Sequence, residues 1–151
     1  MAKEDYNCAH RLRVRWAEVD MQKVVFNGHY LTYIDTAFAE HMRAVGLPYP
    51  EGYVDRYGND IFLRNAAVEY LGSAHYDDEL AVYCRVAKLG RSSITYLYEI
   101  WREGPDASDA PLITAELVYV NADPKTMKPA PLPEELRSRM RKYESTKPLE
   151  A

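Results

Sequence analysis

Asp20 stands a short loop upstream of Tyr30, where the pattern of the longest helix in the chain begins. Asn27-Gly28 supplies an N-cap signal, and Tyr30, Ile34, Ala37, Phe38, Met42 and Val45 recur at the spacing of one helical face. Thr32, Asp35, Thr36, Glu40 and Arg43 fill the other face, and Gly46-Leu47-Pro48 ends the helix with a glycine and a breaker. The first N–H groups of a helix lack internal partners and carry the positive end of its dipole, so they can hold a developing oxyanion. A carboxylate beside them can act as a general base on water or as a nucleophile. The bland alternative is an aspartate that only closes the turn into the helix, the commoner fate of an isolated aspartate.

Other chemistry finds less support. His10, His29, His41 and His75 are the rival bases, and His29 lies nearest to Asp20, but at a helix start it reads as a packing or surface residue. No H-E-x-x-H motif or Cys/His cluster at ligand spacing predicts a metal, and no G-x-S-x-G elbow or P-loop predicts a serine hydrolase or a nucleoside triphosphatase. A formal net charge of −4 argues against a nucleic-acid partner or an anionic membrane surface, which call for basic fields, while a small anionic ligand stays open. Cys8 and Cys84 form no C-x-x-C, and the start Met1-Ala-Lys-Glu-Asp is polar. The expectation is therefore two free thiols in a reducing cytoplasm, with no membrane-spanning helix. A chain of 151 residues reads as one domain, 1–151.

The elements around the helix are strands. His10 to Trp16 alternates Leu12, Val14 and Trp16 against Arg11, Arg13 and Arg15, predicting a half-buried strand ending near Ala17 whose arginines form a solvated face. Pro48 to Asp60 has loop composition, and its Tyr49, Tyr53 and Tyr57 suit either a pocket wall or packing over the helix. From Ile61 the period is strand-like: Ile61–Leu71, Glu79–Leu89, a strand following the Gly90-Arg91 turn, and Leu112–Asn121. A charged helix runs from Pro133 to about Tyr143. One strand, a long helix and four strands predict an α+β domain with a single helix wrapped by a curved antiparallel five-stranded sheet. One helix cannot cover such a sheet, and its open edges predict a homodimer or homotetramer.

Arg15-Trp-Ala-Glu-Val-Asp20, Val24-Val25-Phe26-Asn27 and His29-Tyr30-Leu31-Thr-Tyr33 together resemble the hot dog-fold acyl-CoA thioesterases of the 4-hydroxybenzoyl-CoA thioesterase type. The resemblance continues through Glu69-Tyr70-Leu71 with Ala74, Asp78 and Leu80, then Leu89-Gly90-Arg91-Ser92-Ser93, then Asn121 to Pro133. Met21-Gln22-Lys23 departs from it, since many relatives carry small residues with at least one glycine there. So do Ser73, where proline is frequent, and Asp77, where glycine is common.

The resemblance implies a hot dog fold and hydrolysis of an acyl-CoA thioester to a carboxylate and free coenzyme A. Asp20 would be general base or nucleophile, with water activation favoured, and the Asn27 backbone N–H would polarise the carbonyl. It further implies that Tyr30 meets the substrate and that Arg91, Ser92 and Ser93 face the nucleotide end of coenzyme A. No cofactor is expected beyond the coenzyme A of the substrate itself. Two alternatives stand beside this reading: a catalytically silent acyl-ligand-binding module, kept open by Met21-Gln22-Lys23, and an acyl carrier protein thioesterase, for which the acidic composition advertises no basic docking patch. No segment resembles the histidine-containing motif of the hot dog dehydratases.

Overall fold

A computed structural model describes residues 3–151, so Met1 and Ala2 of the polar start lie outside the described residues. In chain order the elements are β1 (Cys8–Arg13), α1 (His29–Ala44), β2 (Asp60–Tyr70), β3 (Glu79–Leu89), β4 (Ser93–Glu103), β5 (Ile113–Ala122), α2 (Glu134–Tyr143) and β6 (Leu149–Glu150). The five long strands are antiparallel in the order β1-β3-β4-β5-β2. The short β6, which no strand pattern announced, adds parallel to the last residues of β3 beyond the reach of β1.

The alternation read along the strands decides what meets the helix. Leu80, Val82, Cys84 and Val86 of β3, Ile94, Tyr96, Tyr98 and Ile100 of β4, and Ile113, Ala115, Leu117 and Tyr119 of β5 are buried in one core with Tyr30, Ile34, Ala37, Phe38 and Met42 of α1. Phe38 stacks on Tyr119 with ring centroids 4.8 Å apart. Each buried apolar side chain of this size is worth about 1.5–3 kcal/mol, which holds the helix against the sheet. β2 is the far edge strand, and most of its side chains, Leu63 and Tyr70 among them, are exposed.

Three local readings change. β1 ends at Arg13, opposite the first residue of β3, so the chain beyond it has no strand to pair with. Arg15 instead leads into a 3-10 turn, Trp16–Glu18, leaving Trp16 exposed against Tyr76. Second, the Pro48 to Asp60 connection contains a π-helical turn, Glu51–Asp55, and its tyrosines pack: Tyr53 is fully buried with its hydroxyl on Asn121, Tyr49 donates to Asp60 and Tyr57 to Glu135. Third, α2 begins one residue later than expected, with Pro133 as its N-cap. Arg11 and Arg13 of β1 do lie on a solvated face, paired with Glu103 and Glu79, and Arg15 beyond the strand is exposed and paired with Glu18.

Candidate active site

Asp20 lies at the base of a small hairpin. Phe26 N–H donates to the Glu18 carbonyl, Asp20 N–H to Val24 and Lys23 N–H to Asp20, while Val19 and Val25 form an isolated bridge. Lys23 takes the left-handed conformation, φ 66°. That is the backbone state a glycine adopts at no steric cost, so the loop keeps its turn with a lysine in place. Asp77 does the same at φ 69°, with Asp78 closing the turn by accepting His75 N–H. Asp20 as a residue is half-buried, and its Oδ1 accepts the Gln22 N–H at 2.7 Å in an exposed bond.

The hairpin leads directly into α1. The N-cap is Gly28, with no side-chain cap, and His29 N–H donates to the Phe26 carbonyl. Among the described residues the Asn27 N–H meets no acceptor. A helix start left open in this way is where an anion or a developing oxyanion is stabilised.

Asp20, Gln22, Val24, Val25, Asn27 and Tyr30 form one side of an open cleft of about 510 Å³, and Tyr70, Leu71, Gly72 and Ser73 form the other. Tyr30 lines the cleft with its ring while its hydroxyl accepts the Ala74 N–H, and burial pushes its phenol up. Tyr70 packs edge-on to Tyr30 and donates to the Asn27 carbonyl at 3.4 Å. Sequence reasoning passed over Tyr70 as a site residue, although its place at the end of the second strand was the available signal. A second cleft, about 470 Å³ on the outer sheet face, carries Glu69, Glu99 and Glu116. Three carboxylates and no helix start make it a poor host for an anionic ligand.

Arg91, Ser92 and Ser93 are not brought to the Asp20 cleft within one chain. They form the β3–β4 turn, where Gly90 N–H reaches the Ser93 carbonyl and Arg91 and Ser92 hold the Asn121 to Leu132 segment by their carbonyls. β3 begins beside the cleft and runs eleven residues to that turn, roughly 35 Å of extended chain. His29 stacks edge-on to Phe26, and His41 is buried in the core, hydrogen-bonded to Glu144 and Tyr96. Among the described residues no group of His, Cys, Asp and Glu side chains is placed to hold a metal ion, and no helix is long and apolar enough to cross a membrane.

The family model described as Thioesterase superfamily matches residues 22–108, which takes in Asn27, Tyr30 and Arg91 and begins two residues past Asp20. A relative from Aquifex aeolicus named "Putative esterase" is 32% identical over 94 residues, 62% of this chain and 72% of its own. The Escherichia coli protein named acyl-CoA thioester hydrolase YbgC is 26% identical over 125 residues, 83% of this chain and 89% of its own. Among solved structures, a Thermus thermophilus thioesterase complexed with coenzyme A and zinc superimposes with a TM-score of 0.75 at 26% identity, covering 93% of this chain and 96% of its own. The chain belongs to the thioesterase superfamily and has the hot dog fold. It is a thioester hydrolase.

Proposed function

We propose that the chain hydrolyses an acyl-CoA thioester in the Asp20 cleft, with Asp20 activating water and the Asn27 N–H receiving the carbonyl oxygen. The observation that carries this reading is the meeting in one cleft of a carboxylate and an uncapped helix start. A thiolate leaving group, with an ordinary pKa near 8.5, needs little acid assistance, so a base and an oxyanion donor suffice. Such a donor is worth about 2.7–4 kcal/mol of transition-state stabilisation. Gln22 N–H orients Oδ1 of Asp20, and its Oδ2 meets no partner among the described residues, so it is open to a water. Nucleophilic attack by Asp20 through a transient anhydride would use the same oxygen.

The Arg91 turn meets the phosphates of coenzyme A when a second copy supplies it, because one chain holds it a strand's length from Asp20. The exposed β2 edge offers the pairing surface for that copy, making the working unit a homodimer or a dimer of dimers. The buried free thiols Cys8 and Cys84, directly opposite on β1 and β3, suit the reducing cytoplasm.

The test is release of free thiol from short-chain, long-chain and aromatic acyl-CoAs by wild type and Asp20→Asn. The expected outcome is hydrolysis by wild type, with kcat lowered about 10²–10⁴-fold in Asp20→Asn while the fold is kept. Wild-type turnover by Asp20→Asn would remove Asp20 from the mechanism. Binding without release by wild type would instead favour the silent ligand-binding module.

A further inference from the structure

The Asp20 hairpin and the start of α1 each carry one half of the proposed site, and a side-chain bond outside the cleft joins them. Glu18, at the hairpin base, is only 6% exposed despite its charge. Its Oε1 accepts the Arg15 N–H at 2.8 Å and the Tyr33 hydroxyl at 2.9 Å, and its Oε2 accepts Arg15 Nε at 3.1 Å. Tyr33 is buried in the core on α1, so this bond runs from the hairpin base to the helix that presents Asn27. The Glu18 carbonyl also takes the Phe26 N–H, which fixes the return arm of the hairpin to the same residue. Neither Glu18 nor Tyr33 lines the cleft.

We infer that Glu18 and Tyr33 are positioning residues: their hydrogen bond sets the Asp20 hairpin against the start of α1 and so holds the carboxylate in register with the Asn27 N–H. The inference rests on the thioesterase reading of the cleft. Burying a carboxylate is costly unless it is hydrogen-bonded, and three donors from two elements leave this one little freedom to move. Two alternative ties to the rest of the molecule run to Ala74: a backbone bond from Val25 N–H to the Ala74 carbonyl, and Ala74 N–H to the Tyr30 side-chain hydroxyl. These hold the return arm and the helix to the β2–β3 loop, but they do not reach the outgoing arm that carries Asp20. Glu18 does.

The test compares Tyr33→Phe, Glu18→Ala and Glu18→Gln with wild type in the full chain. Steady-state thiol release on whichever acyl-CoA wild type hydrolyses is paired with hydrogen exchange at the Asp20, Lys23 and Phe26 amides. Because angstrom-scale misplacement costs up to about a hundredfold in rate, Tyr33→Phe should lower kcat by about tenfold or more with KM within about twofold. The three hairpin amides should exchange faster while β3 and β4 stay protected. Glu18→Ala should match it, the double variant Glu18→Ala with Tyr33→Phe should be no slower than the slower single one, and Glu18→Gln, which keeps an acceptor for Tyr33, should recover part of the rate. Wild-type kcat in Tyr33→Phe, a loss confined to KM, additive effects in the double variant, or unaltered hairpin exchange would each overturn the inference. Asp20→Asn run in parallel separates the two readings: if it stays active while Tyr33→Phe is slow with a loosened hairpin, Asp20 is not the carboxylate, but the anchor still positions the site.

Discussion

At the scale of single residues, the Asp20 hairpin carries a backbone cost that can be measured. Lys23 holds a left-handed φ of 66° at the tip, a conformation that costs an L-residue about 1–2 kcal/mol, while glycine's extra freedom in the unfolded chain costs about 0.5–1 kcal/mol. Lys23→Gly should therefore raise stability by about 0.5–1 kcal/mol, read as a higher urea midpoint at an unchanged slope. Glu18 makes a pH prediction. Burial pushes its carboxyl up, but hydrogen bonds from Arg15 and Tyr33 and the Arg15 charge outweigh burial and set it below the ordinary value of 4.5. A depressed folded value means that its stabilisation is complete above the ordinary value and is lost as pH falls through the folded one. The stability gap between wild type and Glu18→Gln should thus narrow from pH 7 towards pH 3, measured by urea unfolding at each pH. The Lys23 turn was foreshadowed by the departure from a glycine-containing loop. Glu18 was not, because nothing in Arg15-Trp-Ala-Glu marks which carboxylate turns inward.

At the scale of elements, the C-terminal helix is fastened to the core by groups far apart in sequence. Glu144, one residue past α2, is fully buried; its Oε2 accepts from His41 of α1 at 2.7 Å and from Val86 N–H of β3 at 2.8 Å. Tyr96 completes the chain on the other ring nitrogen of His41. Removing Glu144 leaves His41 Nε2 and the Val86 N–H buried without their acceptor, so Glu144→Ala should cost about 3–5 kcal/mol in urea unfolding. His41→Leu with Glu144→Leu should cost less than the sum of the two single changes, since it removes both partners together. The helix pattern of α1 assigned His41 to neither face, and its partner lies 103 residues away. Periodicity reports which side of a helix is covered and is silent about what covers it.

At the scale of the whole molecule, the proposed homodimer is tested at the β2 edge. Leu63 is half exposed on that edge, and a lysine there and at Ala66 would be an effective block to edge pairing. The Leu63→Lys, Ala66→Lys variant should sediment as a monomer and lose thioester hydrolysis together; an active monomer would show that one copy holds a complete site.

Sequence alone determined the five long strands, the two helices and their order, because burial on one face writes a period of 3.6 or 2 into the residues themselves. It also picked out Asp20 and the start of α1, whose spacing is local. The tertiary structure alone decided the β6 strand, the packing of Tyr49, Tyr53 and Tyr57 away from the cleft, the arrival of Tyr70 opposite Asn27, and the anchoring roles open to Glu18 and Glu144. Each of these depends on a contact between residues distant in the chain, and such contacts are set by how the helix and sheet close on one another, which no local spacing encodes.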